Sequence, residues 1–585
     1  MTKAIAQNPV RLADHSADWR MTMLAAAALV VGTGGALGAW LLLKLIAIAT
    51  NLFWFGRLSD AAADIAANHL GAAVVAIPIL GSLVIGLMAR FGSEKIRGHG
   101  IPEAIEAILY GESRLSLKVA LLKPLSSAIS IGSGGPFGAE GPIIMTGGAI
   151  GSLFAQCFHL SAAERKTLLV AGAAAGMTGI FGTPLAAVLL AIEVLLFEWK
   201  PRSFVPVAVA ALVALAWRPL LLGTGPLFPF VARGLPGIGV ELGVGVGIGI
   251  VAGLEAALLS AMLYRVEDLF HRLPLHWMWW PAIGGAVVGL GGLIDAHVLG
   301  AGYVNIQHLL DGGLTVRVAL ALLIVKAVVW LVALGSGTSG GVLAPLLILG
   351  GALGFLIGGF LPGSAGYWAM LGMAGIMSGA MRAPLTGALF AVELTGHFEA
   401  LPITLAASGG AYAVSVLVMR RSILTEKIAR RGRHILQEYT VDPLEFLQAG
   451  DIMTRSPATL PGAMPIGEAV AFFTEKAIHR SYPVVDENDR LLGLVSRSDA
   501  LRWMDIDTED AASLADLLSD ASQPAAHAET PIGAVADMMV ETGVGRIPIV
   551  ERSSGRIVGI LSRHDLLKAR SIRRRDELTR ERLLV

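Results

Sequence analysis

Residues 132–142 read GSGGPFGAEGP, and residues 335–345 read GSGTSGGVLAP. Both runs are rich in glycine, both lie inside long apolar stretches, and only the first carries a carboxylate, Glu140. The likeness extends outward from them. Lys123 falls in step with Lys326, Gly98-His99-Gly100 with Gly300-Ala301-Gly302, and PLAAVLLAIE from Pro184 with PLTGALFAVE from Pro384. One unit is therefore written twice. Internal repetition of this kind is common in transporters, where the substrate site lies near the middle of the membrane, at the repeat interface and between broken helices. Inverted and parallel arrangements of the two copies both remain open at this point.

Composition places the repeats in a membrane. A chain of 585 residues with 54% hydrophobic and 15% charged residues, 71 glycines and a mean hydropathy of +0.67 is too apolar for a soluble enzyme. Apolar runs of about 20 residues, long enough to span a bilayer, are expected at Met23–Thr50, Ala72–Arg90, Leu168–Ala191, Val240–Ala261, Trp277–Ile294 and Ile403–Met419. Other apolar pieces are broken by glycine and proline, notably 132–142 and 335–345. Their unpaired backbone groups must be buried in protein or line a polar cavity, so the breaks point to the pathway.

The first 20 residues are polar and show no cleavable signal pattern. Met23 onward is therefore expected to be a first membrane helix, with the mature chain beginning near Met1. Arg420, Arg421, Lys427, Arg430, Arg431 and Arg433 follow the last apolar run and place the next segment in the cytoplasm. The single cysteine, Cys157, excludes an intrachain disulfide. A formal net charge of zero with no basic aromatic face gives no argument for nucleic-acid binding.

From about Phe446 the sequence becomes that of a soluble domain, charged throughout, with strand patterns such as YPVV at 482–485 and LLGLV at 491–495. It too is duplicated: PIGEAV from Pro465 returns as PIGAVA from Pro531, and GLVSRSD at 493–499 returns as GILSRHD at 559–565. Each copy gives a strand, a serine, and an aspartate three residues later at a helix start. The arrangement resembles a tandem pair of cystathionine-β-synthase (CBS) domains over residues 446–571. The resemblance implies a cleft able to take an adenine nucleotide, with Asp499 and Asp565 toward ribose hydroxyls and Ser496 and Ser562 toward phosphate. The same residue types serve equally as helix caps.

The chemistry of the apolar part favours anions. A bare ion in a bilayer costs tens of kcal/mol, so its water must be replaced. A full lysine or arginine charge would hold an anion too firmly for rapid release. Neutral amide donors at about 1.5 to 3 kcal/mol each, with helix N-termini adding up to about 2, bind it reversibly. Glycine lets backbone N–H groups approach the ion, and GHGIP, GAEGP and GGVLAP each set glycine beside a proline that suits a helix's first turn. Close helix packing through small residues is the plain alternative for any one of them. Magnesium would need clustered carboxylates, which these motifs lack, so a CBS-containing divalent-cation transporter is the weaker alternative. No metal-ligand cluster, nucleophile with its base, or phosphate-binding loop marks an enzyme.

Taken together, GHGIPE at 98–103, GAEGP at 138–142, GGVLAP at 340–345 and the paired proline-led segments resemble the chloride channel and transporter (CLC) family over about Met21–Gly432. The resemblance implies an α-helical polytopic membrane protein with an inverted internal repeat, followed by a cytoplasmic α/β tandem CBS domain. It implies a homodimer with one anion pore per subunit, no required cofactor, and a plasma or inner membrane location. Glu140 matches the family's gating glutamate, which competes with chloride for the outer binding position. His99, Gly100 and Ile101, Gly138 and Gly141, and Gly341, Val342 and Leu343 match its anion-binding segments. The implied division is an N-terminal segment (1–20), the transport domain (21–432), a linker (433–445), the CBS pair (446–571) and a basic tail (572–585).

An ionised carboxylate among backbone amides mimics a bound anion, so protonation or rotation of Glu140 would free the pathway. Glu193 and Glu393, present in both repeats, are expected to be structural hydrogen-bonding acids. The chain departs from the family pattern at four places. His99 stands for an anion-coordinating serine, Leu424 for a coordinating tyrosine, Ala139 for the arginine of GREGP, and Val194 for the inner proton-transfer glutamate. Valine carries no proton, which favours passive conduction over proton-coupled exchange. Glu198, one helical turn beyond Val194, is the candidate to replace it in a proton pathway with Glu140.

Overall fold

The computed structural model describes residues 19–433, 435, 447–504, 513–518 and 524–568. Residues 1–18 of the expected N-terminal segment, nearly all of the expected linker and the tail 572–585 lie outside the described residues. The chain divides into two compact units, one spanning Ala13–Glu438 and the other centred on Tyr439–Val585.

In the larger unit the first repeat runs through α1 (Trp19–Phe55), α2 (Ala76–Phe91), α3 (Ile101–Tyr110), α4 (Leu117–Gly132), α5 (Glu140–Gln156), α6 (Ala162–Phe181), α7 (Pro184–Leu190) and α8 (Pro201–Leu221). The second runs through α9 (Ile238–His271), α10 (Trp280–Ile294) and α11 (Tyr303–Asp311). It continues with α12 (Val316–Ala321) and α13 (Ala327–Gly335), joined by a π-helical turn, then α14 (Leu343–Gly358), α15 (Ala365–Met381), α16 (Pro384–Thr395) and α17 (Leu401–Val418). A short α18 (Thr425–Arg430) closes the unit.

Packing follows the repeat. α5 lies on α6 as α14 lies on α15, and α1 lies on α8 as α9 lies on α17. Across the repeats α2 meets α10 and α7 meets α16. Gly138 and Gly341, which occupy the same place in the two glycine-rich runs, pair with each other in an antiparallel bridge. Equivalent residues that pair mutually lie on a two-fold axis, so the two loops meet at the pseudo-symmetry centre.

The interior is built from small residues. α15 is buried at every residue from Gly366 to Met381, and α6 from Thr167 to Phe181. A Cβ on Gly147 of α5 would come within 2.2 Å of the Gly172 carbonyl of α6. Helices of this kind approach through glycine and gain van der Waals contact where no hydrophobic drive separates lipid from protein.

Among the described residues, seven helices are long and apolar enough to cross a membrane: 19–55, 71–91, 201–221, 238–271, 277–294, 316–335 and 398–418. The single span expected at Leu168–Ala191 does not exist. Gly182 adopts φ +69° and ends α6, and Pro184 starts α7 two residues later, so the run is two helices meeting at a left-handed cap. The spans at 201–221 and 316–335 escaped the sequence reading. Pro206 and Pro219 interrupt the first pattern, and Lys326 places a charge within the second.

Among the described residues, the smaller unit contains two three-stranded sheets. β2 (Leu460–Pro461), β3 (Ser481–Val485) and β4 (Leu491–Ser496) form one; β1 (Thr454–Arg455), β6 (Ile557–Ser562) and β5 (Arg546–Val550) form the other in that spatial order. β1 precedes the first copy yet pairs with the second copy's sheet, which interlocks the two. Each sheet is backed by an amphipathic helix: Phe473 of 466–475 packs with Val484, and Met539 of 532–541 packs with Ile549.

Candidate functional site

Backbone turns aim several helix starts at the pseudo-symmetry centre. Gly100 has φ +85° and caps α3, which continues with Ile101-Pro102; Gly302 has φ +71° and precedes α11. α5 opens with Glu140-Gly141-Pro142 and α14 with Leu343-Ala344-Pro345. Proline in these first turns removes a donor that the helix could not have used.

The loops before these helices are tied together. Gly341 N–H donates to the Gly138 carbonyl at 2.9 Å, and Gly98 N–H donates to the Thr338 carbonyl at 3.1 Å. A Cβ on Gly141 would meet the His99 carbonyl oxygen at 2.0 Å and Gly341 Cα at 3.3 Å. The starts of α3, α5 and α14 thus converge around Gly141, and only glycine permits that approach.

Two buried lysines hold the Gly-x-Gly loops in place. Lys123 Nζ donates to the carbonyls of Ile96 (2.8 Å) and Gly98 (2.7 Å) and to Ser339 Oγ (3.1 Å). Lys326 Nζ donates to the carbonyls of Val298 and Gly300, both at 3.1 Å. Both lysines are fully buried. They are the same residue in the two repeats, anchoring the same Gly-x-Gly loop.

Glu140 lies at this centre with no solvent exposure. A Cβ on Gly138 would come within 1.9 Å of its Oε2, and one on Gly341 within 2.7 Å, so the carboxylate rests on glycines of both repeats. Backbone N–H groups of Glu140 itself and of Ala344, in the first turn of α14, face it. Its Oε1 accepts from Tyr303 Oη at 3.3 Å, while Oε2 has no hydrogen-bond partner among the described residues.

The structure therefore brings together most of the residues singled out from sequence: His99, Gly100, Gly138, Glu140, Gly141 and Gly341 by direct approach, with Ile101, Val342 and Leu343 fully buried at the adjoining helix starts. His99 is 3% exposed and its Nδ1 has no partner among the described residues. It lines a cavity of ≈ 810 Å³ together with Glu103, Tyr264, Lys427 and Arg431. The basic run after α17 is not a free surface: Glu103 of α3 pairs with Lys427 at 2.9 Å and with Arg431 at 3.1 Å. Leu424 is buried.

Glu198 does not stand where the helical spacing placed it. The helix that begins at α7 passes into a π-helical turn and ends at Leu196, and Phe197 adopts φ +53°. Val194 and Glu198 accordingly share no helical face. Glu198 accepts from Ser203 Oγ at 2.9 Å and lies 3.6 Å from Lys166 Nζ.

In the smaller unit, Ser496 and Asp499 form a complete capping box. Asp499 Oδ2 accepts from the Ser496 N–H at 2.9 Å, and Ser496 Oγ accepts from the Asp499 N–H at 3.3 Å. Ser562 and Asp565 repeat it at 2.8 and 3.4 Å.

Two contributors escaped the sequence reading. Tyr303 is in register with Ile101, and a polar residue in an otherwise apolar repeat position was the available signal. The lysines were seen only as repeat markers, because nothing local shows which carbonyls an ammonium will reach.

A family model for the voltage gated chloride channel matches residues 80–416, and CBS domain models match 449–506 and 518–572. The chain is 33% identical over 364 residues to the voltage-gated ClC-type chloride channel ClcB of Salmonella typhimurium, covering 60% of this chain and 85% of that protein. It is 31% identical over 369 residues to the ClcB of Escherichia coli strain UMN026, with 61% and 87% covered. Two solved structures share the fold. A slow cyanobacterial Cl−/H+ antiporter aligns with TM-score 0.62 and 22% identity, covering 71% of this chain and 99% of that one. A eukaryotic CLC transporter aligns with TM-score 0.58 and 20% identity, covering 93% and 98%. The chain belongs to the voltage-gated chloride channel (CLC) family, a membrane-spanning transporter or channel carrying a tandem pair of CBS domains.

Proposed function

We propose that the larger unit conducts chloride, or a small anion like it, passively across the membrane, and that Glu140 gates the path. The observation that carries this reading is the placement of the Glu140 carboxylate on Gly138 and Gly341, facing the Ala344 N–H in the first turn of α14. An anionic oxygen at a helix N-terminus marks a position where another anion is equally welcome. While ionised, the carboxylate fills that position; once protonated or rotated away, it yields the position to chloride. Gly141, Val342 and Leu343 supply amide donors around it. His99, Gly100 and Ile101 supply the inner stretch, where the His99 imidazole takes part in place of a hydroxyl.

Two features favour passive conduction over exchange. Val194 has no proton to transfer, and Glu198 is engaged by Lys166 and Ser203 rather than aligned with Val194. A proton route through Glu140 and Glu198 belongs to the alternative reading, a proton-coupled anion exchanger. The protein acts as a homodimer in the plasma or inner membrane, with the CBS pair cytoplasmic. An adenine nucleotide bound there, with Asp499 and Asp565 toward the ribose, biases the pore only through unequal affinity for its states.

The test records chloride efflux and proton uptake together from liposomes holding the full chain, under an imposed chloride gradient with valinomycin added late. Chloride running to its Nernst potential without proton movement is the expected result. Protons driven against their gradient by chloride would replace this reading with the exchanger, and no anion flux would overturn both.

A further inference from the structure

Among the described residues, Tyr303 provides the side chain that hydrogen-bonds to Glu140. Its hydroxyl has a fixed polarity. The Ala139 N–H donates to Oη at 3.3 Å, so the single phenolic proton is directed to Glu140 Oε1, also at 3.3 Å. The ring cannot easily turn aside, because Phe181 meets it edge-on at 6.3 Å between centroids and Phe228 packs at 6.2 Å. Tyr303 is the first residue of α11, preceded by the left-handed Gly302, and occupies the place that Ile101 holds in the other repeat. The hydroxyl is thus a feature of one half only, as Glu140 is.

We propose that Tyr303 Oη is a direct ligand of the permeating anion at the position Glu140 vacates, and so a determinant of anion selectivity. The inference rests on the reading that Glu140 occupies an anion position. When the carboxylate leaves, the phenolic proton loses its acceptor. A buried donor without an acceptor is costly, and a small anion entering that position restores the bond. The hydroxyl is neutral, so it adds directional affinity without the grip of a full positive charge. Neither His99 nor Leu424 brings a hydroxyl, which leaves Tyr303 to supply one from the second repeat. Among the described residues, Tyr303 is also the one ionisable side chain acting on the Glu140 carboxyl, beside backbone N–H groups of Glu140 and Ala344.

The experiment titrates chloride and thiocyanate by calorimetry into purified full chain carrying Glu140→Ala, with and without Tyr303→Phe. Phenylalanine keeps the ring packing and removes only the hydroxyl. The expected result is chloride binding about tenfold weaker in the double variant, since a hydrogen bond to a charged group is worth about that factor. Thiocyanate, whose diffuse charge accepts weaker hydrogen bonds, loses less. Equal chloride affinity with and without the hydroxyl overturns the inference while leaving the Glu140 reading intact, and an equal loss for both anions marks a packing defect and overturns it too. Wild-type affinity and an unchanged pH profile of flux in Glu140→Ala alone instead remove the Glu140 reading. Should the double variant not fold, Tyr303→Phe alone in liposomes reads the chloride-to-thiocyanate flux ratio. A fall supports the role and an unchanged ratio refutes it.

Discussion

Glu193 and Glu393 cap each other's helices. Glu193, just beyond α7, accepts from the N–H groups of Leu385 (3.2 Å) and Thr386 (2.8 Å) at the start of α16 and from Thr386 Oγ1 at 2.6 Å. Glu393, inside α16, accepts from the N–H groups of Leu185 (3.0 Å) and Ala186 (2.8 Å) at the start of α7. Each proline-led helix begins without a capping side chain of its own, and the opposite repeat supplies one across the two-fold axis.

This reciprocity orders two variants. Glu193→Ala leaves three donors unmatched and Glu393→Ala leaves two, at about 1 to 3 kcal/mol for each variant. Thermal unfolding in detergent is expected to show both destabilised, Glu193→Ala the more. The reverse order would contradict the capping assignment.

The buried lysines differ in a way that predicts function. Lys123 ties the loop bearing His99 to Ser339 of the other repeat, whereas Lys326, among the described residues, donates to carbonyls of its own repeat. Lys123→Met therefore strands carbonyls and also removes one of the ties between the His99 loop and the second glycine-rich run. Chloride flux from liposomes is expected to fall at least about tenfold in Lys123→Met, and clearly less in Lys326→Met. Equal losses would place the two lysines in the same purely structural role.

Much of the fold was legible because repetition is a long-range signal carried on one dimension. The paired glycine-rich runs, the mirrored lysines and the proline-led segments announced the two-fold centre, and Glu140 stood out as the charge with no counterpart, opposite Leu343. Local patterns misled where backbone chirality intervened. Leu168–Ala191 reads as one apolar run, yet Gly182 takes a left-handed conformation that apolarity does not encode. The face-sharing of Val194 and Glu198 failed at Phe197 for the same reason. Tyr303 was hidden because it lies 163 residues from Glu140, and only the folded repeats bring the two together.

Glycine positions separate close approach from mere flexibility. On Gly341 a Cβ would lie 2.5 Å from the Gly138 carbonyl oxygen and 2.7 Å from Glu140 Oε2, while on Gly243 of α9 it meets nothing within 4 Å. Gly341→Ala is expected to destabilise by about 2 kcal/mol or more and to displace Glu140, flattening the pH dependence of flux. Gly243→Ala is expected to gain about 0.5 to 1 kcal/mol through helix propensity, with flux unchanged. Unfolding temperatures and flux assays on both check the contrast.

In the smaller unit, the capping boxes predict a cost that needs no ligand. Asp499→Ala removes the acceptor of the Ser496 N–H and is expected to destabilise that unit by about 1 kcal/mol in nucleotide-free buffer. Calorimetric unfolding with and without added ATP separates this from a binding role. An Asp499→Ala chain as stable as wild type without nucleotide would exclude the cap as its reason for being there.

The most direct test of the gating account is chloride flux against pH in liposomes for wild type and Glu140→Gln. An ionised Glu140 holds the anion's place, and its protonation releases that place, so wild-type flux is predicted to rise as pH falls. Glutamine bears no charge and cannot titrate, so Glu140→Gln is predicted to conduct at a rate that does not change with pH, at or above the wild-type rate in acid. A Glu140→Gln protein that keeps the wild-type pH profile would contradict the account.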